Sequence, residues 1–150
     1  MGNVVYVAKV NIEPDGLLQR AVLPGGASIT FDEYRPVPAR SSGAQDQPPE
    51  PLDYLVATVG ASLSGSFVSG LVTRGVTLEP GHLTVEVQGD VERDASEVAV
   101  LKRIRIRYRL RVPSYRREVV ERVLAIHADV CPVARTLTGC IAIGTVVEYL

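Results

Sequence analysis

The sequence has 150 residues, of which 46% are hydrophobic, and its 16 basic side chains are balanced by 17 acidic ones. This length and composition are typical of one domain with one core, so we predict a single domain over residues 1–150. A formal charge of −1 gives no global attraction to nucleic acid or to an anionic membrane. We therefore expect neither of these as a partner.

The N-terminus and the cysteine content indicate a reducing compartment. Residues 1–10, MGNVVYVAKV, lack the order of charged, apolar and small residues that marks a secretory signal. The two cysteines, Cys131 and Cys140, are too few for a disulfide framework and lack the CxxC spacing of a zinc site. We expect a cytoplasmic protein with free thiols and with no metal or other cofactor.

Alternating apolar and polar residues predict three short strands in the first third of the chain. They cover residues 4–12, 16–24 and 27–35, and the PDG and PGG sequences between them have the composition of tight turns. This pattern predicts an antiparallel meander. Residues 36–51 contain five prolines and no periodic apolar pattern, which predicts an extended loop.

A helix is predicted from Pro51 to about Arg74, with Gly75 as its stop signal. Proline suits the first helical turn, and Asp53 places a negative charge at the positive end of the helix dipole. Residues 54–73 are uncharged over the length of a bilayer span, but nine of them are Gly, Ser or Thr, which favours a buried helix of a soluble protein.

The faces of this helix predict how it is covered. One face is lined by large apolar residues and the opposite face by small ones, so neither is charged and we expect burial on all sides. The small face would let a symmetry-related copy of the helix approach closely. It comprises Ala57, Ala61, Ser64, Gly65 and Val68.

Two runs with a period of two, residues 82–92 and 100–113, predict a long β-hairpin. One face of the second strand carries arginines, which form either an anion-binding surface or a solvated face paired with acidic residues of the neighbouring strand. The neutral chain without interleaved exposed aromatics favours the second alternative. The arginines are Arg103, Arg105, Arg107, Arg109 and Arg111, and the expected partners are Glu86, Asp90 and Glu92.

The last third predicts a helix over residues 115–130 with Ser114 as its N-cap, a short helix that ends at Leu137, and a strand over residues 140–149. The complete order is β-β-β-α-β-β-α-α-β. This order indicates an α+β fold in which helices interrupt a mainly antiparallel sheet.

Cys131 is the residue that most directly suggests chemistry. Pro132 suits the first position of the short helix and makes Cys131 its N-cap, where free amide groups and the helix dipole favour a thiolate. The alternative is a buried cysteine that acts as a small apolar side chain, and the residues leave both open. We expect no disulfide with Cys140, because the intervening helix separates the two by roughly 10 Å. His127, four residues earlier, lacks the further ligands of a metal site.

The segment PLDYLVATVGAS (51–62), the Gly/Ser-rich helix that continues it, the basic hairpin and CPVARTLTG (131–139) together resemble the OsmC/Ohr family of thiol peroxidases. The resemblance implies a tightly intertwined homodimer with active sites at the subunit interface. It also implies that two cysteines on buried helices reduce organic hydroperoxides, and that a thiol or dithiol reductant restores them.

The resemblance assigns residues to roles. Cys131 matches the second, resolving cysteine of the family, and Ser62 stands where the first, peroxide-attacking cysteine is expected. The family's glutamate falls on Leu52, with Asp53 at the neighbouring acidic position. The activating arginine is expected from the N-terminal region. The candidates are Arg20, Arg35 and Arg40, of which the first lies at about the right separation from position 62.

The serine leaves two functions open. A hydroxyl cannot be oxidised to a sulfenic acid, so the two-thiol mechanism is lost and a peroxidase would be a weak one-cysteine enzyme that uses Cys131. Alternatively, the dimer persists without redox chemistry and its former active-site pocket binds a small apolar ligand. In that case Ser62 is a small residue at a helix interface.

Overall fold

The structure, a computed structural model, describes residues 6–32 and 48–150, and these residues form six strands and three α-helices. The order of elements is β-β-β-α-β-β-α-α-β, as predicted, and the fold is α+β with two three-stranded sheets. The chain divides into two compact units, Met1–Tyr54 and Leu55–Leu150. A single domain over the whole chain stays a prediction.

The N-terminal unit contains an antiparallel meander, as predicted. Its strands are β1 (Asn11–Asp15), β2 (Leu18–Val22) and β3 (Ser28–Phe31). A two-residue loop joins β1 to β2, and its first residue, Gly16, has a φ of +61°, which favours a type II′ turn. The first strand lies later than predicted and includes Pro14, because an edge strand can spare the N–H that proline lacks.

The end of β3 holds the beginning of helix α1 (Pro51–Val72). The backbone N–H of Asp32 donates to the carbonyl of Pro49 at 3.0 Å. The hydroxyl of Tyr54 donates to the carbonyl of Thr30 at 2.9 Å, and its ring centroid lies 4.5 Å from that of Phe31. The helix starts where predicted. The rest of the predicted third strand and most of the proline-rich loop lie outside the described residues.

The second sheet belongs to the C-terminal unit and contains β4 (Leu83–Arg93), β5 (Ala99–Leu110) and β6 (Ala142–Tyr149). β4 and β5 form the predicted antiparallel hairpin, whereas β6 runs parallel to β5. The parallel pair departs from the predicted antiparallel pattern. The two helices between β5 and β6 carry the chain back to the start of β5, so the last strand runs in the same direction.

The core of this unit lies between β5 and one face of α1. Four inward side chains of β5 are at most 1% exposed, and the apolar residues of α1 that face them are fully buried. Glycines permit the close approach of α1 to its neighbours, since a Cβ at Gly60 would collide with Val87 and one at Gly70 would lie 2.7 Å from Val123. The core residues are Ile104, Ile106, Tyr108 and Leu110 of β5, and Val59, Leu63, Phe67 and Leu71 of α1.

The other face of α1 is exposed, so the expectation of burial on all sides is wrong for a single chain. The described elements cover only the large apolar face and leave the small-residue face to solvent. Its exposed residues are Ala57, Ala61 and Gly65. By length and composition alone α1 could also cross a membrane, with a mean hydropathy of 1.6. Its buried face, however, contacts a sheet as the core helix of a globular unit does.

The arginines of β5 form ion pairs on the outer face of the sheet, in agreement with the solvated alternative. Asp90 pairs with both Arg103 and Arg105, and Glu86 lies 3.8 Å from Arg107. The sequence predicted Glu92 as the third partner, but the parallel pairing places Glu148 of β6 beside Arg109, at 3.3 Å.

Two helices link β5 to β6, namely α2 (Arg117–Val130) and α3 (Pro132–Leu137). The prediction that Ser114 caps α2 is wrong. Ser114 instead begins a turn of 3-10 helix, Ser114–Arg116, which runs into α2 without a side-chain cap. The bond from the N–H of Arg116 to the carbonyl of Pro113 extends the helical region upstream and places the serine inside it.

Candidate active site

Cys131 occupies the junction between α2 and α3. Its extended backbone, with φ −79° and ψ 117°, ends α2, and Pro132 takes the first position of α3. The thiol sulfur accepts a hydrogen bond from the backbone N–H of Ala134 at 3.5 Å. The prediction that Cys131 is an N-cap is therefore confirmed, although its side chain is also fully buried, with 0% exposure.

Ser62 of α1 is the side-chain partner of this thiol. Its hydroxyl oxygen lies 3.1 Å from the sulfur of Cys131, and either group can be the donor. The structure therefore brings together the two positions that the family resemblance assigns to the cysteine pair. With Ala134, the sulfur has two possible donors around it, an arrangement that suits a sulfur carrying negative charge during a reaction.

Tyr108 and His127 form a buried polar pair near this site that the sequence did not predict. The Tyr108 hydroxyl lies 3.1 Å from Nε2 of His127, and Nδ1 of His127 lies 2.8 Å from the carbonyl oxygen of Leu124. A carbonyl only accepts, so Nδ1 carries the proton and Nε2 accepts from the tyrosine. Both ring nitrogens of His127 therefore have partners, and the residue is 1% exposed.

Burial keeps both members of the pair neutral near neutral pH. Burial lowers the pKa of His127 from its ordinary value of 6.5, while its backbone hydrogen bonds and Asp129 oppose that change. Burial is also the main cause that raises the pKa of Tyr108, and the charge of Cys131 adds to it. Spacing could have indicated His127, which lies one helical turn before the cysteine.

Arg20 and Asp53, the other residues assigned from the resemblance, belong to the N-terminal unit. Nη1 of Arg20 donates to Oε2 of Glu13 at 2.8 Å across the β1–β2 ladder, and both side chains are about half exposed. Oδ2 of Asp53 accepts the backbone N–H of Glu50 at 3.0 Å, which closes the first turn of α1. Their action on the thiol stays a prediction. The other candidates, Arg35 and Arg40, lie outside the described residues.

Cys140 is an exposed free thiol and Cys131 a buried one, in agreement with the expectation that they form no disulfide. Within residues 6–32 and 48–150, no group of three histidine, cysteine or acidic side chains is arranged to hold a metal ion. At this junction the thiol of Cys131 and the hydroxyl of Ser62 are the groups in direct side-chain contact.

Comparison with known proteins gives a family and a fold. A family model described as OsmC-like protein matches residues 44–146. The OsmC-like protein of Mycoplasma pneumoniae superposes with a TM-score of 0.76 at 15% identity, over 98% of this chain and 99% of that one.

Two organic hydroperoxide resistance proteins have the same fold. That of Legionella pneumophila, OsmC, has a TM-score of 0.71 at 14% identity and covers 97% of this chain and 99% of its own. OhrB of Bacillus subtilis has a TM-score of 0.69 at 14% identity and covers 97% of this chain and all of its own. No curated protein sequence matches the chain.

Proposed function

Because this chain belongs to the OsmC-like protein family, we propose that it reduces organic hydroperoxides with Cys131 as its reacting thiol and Ser62 as the hydrogen-bond partner of that thiol. The contact of 3.1 Å between the serine hydroxyl and the sulfur carries the proposal. It keeps a polar group beside the thiol at the position where the family resemblance expects a second cysteine. The names of the two hydroperoxide resistance proteins with this fold agree with that substrate class.

The proposed reaction has two stages. The Cys131 thiolate attacks one peroxide oxygen, so an S–O bond forms, the O–O bond breaks, and the alcohol leaves with a proton. The product is a sulfenic acid on the cysteine. A small thiol then displaces water to give a mixed disulfide, and a second thiol equivalent restores Cys131 as the reductant becomes a disulfide. A cytoplasm, the predicted location, supplies such thiols.

Access to the sulfur is part of the proposal. Cys131 is fully buried, whereas Ser62 is only partly buried. We therefore place the approach of the hydroperoxide on the side of the serine, whose hydroxyl can also donate to the departing alkoxide oxygen. Because a serine cannot form a disulfide with the sulfenic acid, the external thiol must attack the sulfenic acid of Cys131 directly at every turnover.

We also propose that the protein is a homodimer. The support is the exposed small-residue face of α1, which lies within the uncharged stretch of the helix that follows Asp53. Ala61 and Gly65 on this face would let a second backbone approach closely, and a second copy would remove an apolar surface from water. Ser62 is the residue after Ala61 of this face, so the dimer interface would border the thiol site.

A second candidate function is the binding of a small apolar ligand without redox chemistry. The complete burial of the Cys131 sulfur favours it, because a buried free cysteine behaves as a small apolar side chain. Native mass spectrometry of the purified protein distinguishes the two. A retained lipid-like ligand together with no peroxide turnover supports the binding protein.

The test of the peroxidase uses the two cysteines as a matched pair. Cumene hydroperoxide consumption is measured with dithiothreitol for the wild type, Cys131→Ser and Cys140→Ser. We expect the wild-type rate to be well above that of free cysteine, lost in Cys131→Ser and kept within about twofold in Cys140→Ser, since Cys140 is an exposed thiol away from the Ser62 contact. A wild-type rate equal to that of free cysteine would refute the proposal.

A further inference from the structure

We propose that Tyr108 and His127 are positioning residues that hold the sulfur of Cys131 against Ser62. The inference rests on the proposed function for its relevance to catalysis, but the geometry that it concerns can be measured without any peroxide. Neither residue corresponds to a motif position of the sequence analysis. Both are buried polar side chains for which the proposed reaction has no direct use.

The hydrogen bonds of the pair define a single arrangement. His127 donates from Nδ1 to the carbonyl of Leu124 at 2.8 Å and accepts at Nε2 from the hydroxyl of Tyr108 at 3.1 Å. Both polar atoms of the imidazole are therefore used, and so is the proton of the tyrosine. Rotation of the imidazole would break at least one of these buried hydrogen bonds, and the loss of a buried partner costs free energy.

The pair acts on Cys131 through helix α2. His127 and Cys131 are four residues apart, so they lie on one face of the last turn, and both are almost completely buried. Cys131 closes that turn, since its backbone N–H donates to the carbonyl of Ala128 at 3.3 Å. The bond between Tyr108 and His127 therefore ties the end of α2, and with it the cysteine, to strand β5.

The same pair also contacts the helix that carries Ser62. The ring of Phe67 on α1 stacks on Tyr108 with centroids 4.3 Å apart and meets His127 edge-on at 5.3 Å. α1, α2 and β5 thus meet at one cluster of three rings, defined here as the Phe67-Tyr108-His127 cluster. α1 supplies the hydroxyl of Ser62, and the end of α2 supplies the thiol of Cys131. The cluster therefore fixes the position of α1 relative to the end of α2, on which the Ser62–Cys131 contact depends.

The test replaces the oxygen of Ser62 by sulfur. The stability of the disulfide that then forms with Cys131 measures how well the protein holds positions 62 and 131 together. In the full chain carrying Ser62→Cys and Cys140→Ser, the equilibrium between the introduced cysteine, Cys131 and the dithiothreitol couple reports how closely the two positions are held. Cys131 and the introduced cysteine lose two protons and two electrons, and oxidised dithiothreitol gains them. The probe is dithiothreitol alone, read by intact mass and thiol alkylation.

We expect Tyr108→Phe to lower this equilibrium constant about tenfold, which is a rise of about 30 mV in the reduction potential of the disulfide. Tyr149→Phe is the matched control. The Tyr149 hydroxyl donates to Glu121 at 2.6 Å and ties α2 to β6, toward the other end of the helix from Cys131. This variant also loses one tyrosine hydroxyl, so we expect it to destabilise the fold with less than a twofold effect on the disulfide.

His127→Gln and His127→Leu provide the second pair of variants. Glutamine keeps an acceptor for the Tyr108 hydroxyl, so we expect the disulfide equilibrium constant to stay within about threefold. Leucine removes the acceptor, so we expect it to lower this constant as much as Tyr108→Phe does. Equal effects of Tyr108→Phe and Tyr149→Phe would overturn the proposal, and so would a Ser62→Cys variant that forms no disulfide with Cys131. Failure of both Tyr108→Phe and His127→Leu to fold would also overturn it, because the pair would then serve the whole fold.

This measurement is independent of the peroxidase test. A protein without peroxide turnover but with a disulfide weakened by Tyr108→Phe would refute the proposed function and leave the positioning role intact. A protein with full turnover and an unaffected disulfide would refute the positioning role alone.

Discussion

The hydroxyl of Ser62 lies 3.1 Å from the sulfur of Cys131, although the two residues are 69 positions apart in the sequence. The second half of α1, the β4–β5 hairpin and α2 separate them along the chain. This one contact joins α1 to the junction of α2 and α3. Because the serine oxygen and the cysteine sulfur face each other, a single substitution at Ser62 changes which group lies beside the thiol.

Ser62→Cys is expected to convert the site into a two-thiol site. After one equivalent of cumene hydroperoxide, a sulfenic acid on either sulfur would condense with the other thiol to a disulfide and release water. The wild type would instead keep a sulfenic acid that dimedone traps on Cys131. Peptide mass spectrometry in the Cys140→Ser background measures both products. Dimedone labelling that is equal in the two proteins would contradict the prediction.

Ser62→Ala is expected to slow the reaction of Cys131 with hydroperoxide about tenfold, because hydrogen bonds to charged groups contribute roughly 1.5–3 kcal/mol and this substitution removes one from the sulfur. Stopped-flow mixing with cumene hydroperoxide under single-turnover conditions measures the rate. Ser64→Ala is the control, since the hydroxyl of Ser64 donates within α1 to the carbonyl of Gly60. An unchanged rate in Ser62→Ala would show that the hydroxyl only fills space.

Gly60→Ala is expected to destabilise the fold by about 2 kcal/mol, because the added methyl group collides with Val87 in a close-packed core. Val87→Ala removes the obstructing methyl groups, so the double variant should be more stable than the sum of the two single effects predicts. Urea unfolding of the four proteins completes a double-mutant cycle. Additive effects would mean that Gly60 and Val87 do not approach as closely as the structure shows.

His127 is expected to make the protein less stable in mild acid. Burial lowers its folded-state pKa below the ordinary value of 6.5, so the unfolded chain binds a proton that the folded chain resists. The free energy of unfolding should therefore fall as the pH drops below 6.5 toward the folded pKa, with no contribution from this group at higher pH. Urea midpoints across this range measure the slope. His127→Gln should reduce it, and an identical slope in both proteins would exclude His127 as its source.

The small-residue face of α1 predicts the oligomeric state. Ala61→Glu would bury a charge without a partner between two copies of the helix, and we expect it to weaken the dimer at least 100-fold, from the several kcal/mol that such burial costs. Ala95→Glu makes the same chemical change in the exposed turn between β4 and β5 and should leave the dimer intact. Sedimentation equilibrium measures both, and a monomeric wild type would contradict the proposed homodimer.

The sequence predicted the elements better than their pairing. Period-two alternation located β4 and β5, and the Pro51 and Gly75 signals located α1 within about two residues, because these patterns depend on local conformation. The direction of β6 has no local signal. It follows from how α2 and α3 return the chain, and the same parallel pairing brings Glu148, which the sequence did not indicate as a partner, beside Arg109.

The site was only partly predictable. Proline after Cys131 predicted the N-cap from local rules alone, and the family resemblance, rather than any spacing rule, paired Cys131 with Ser62. The Tyr108–His127 bond had no sequence signal, because it joins the inner face of a strand to a helix and depends on tertiary packing. A helical projection places His127 beside Cys131, but no rule at that level selects its partner.

The parallel pairing of β5 and β6 determines which parts of this chain can vary in length. A parallel pair cannot be closed by a tight turn, so the segment from Arg111 to Ile141 is an obligatory crossover, and Cys131 lies within it. The turn between β4 and β5 is under no such constraint and can accept inserted residues. The thiol is therefore carried by a connection that must stay long enough to return the chain to the start of β5, and deletions that shorten this crossover threaten the sheet and the site together.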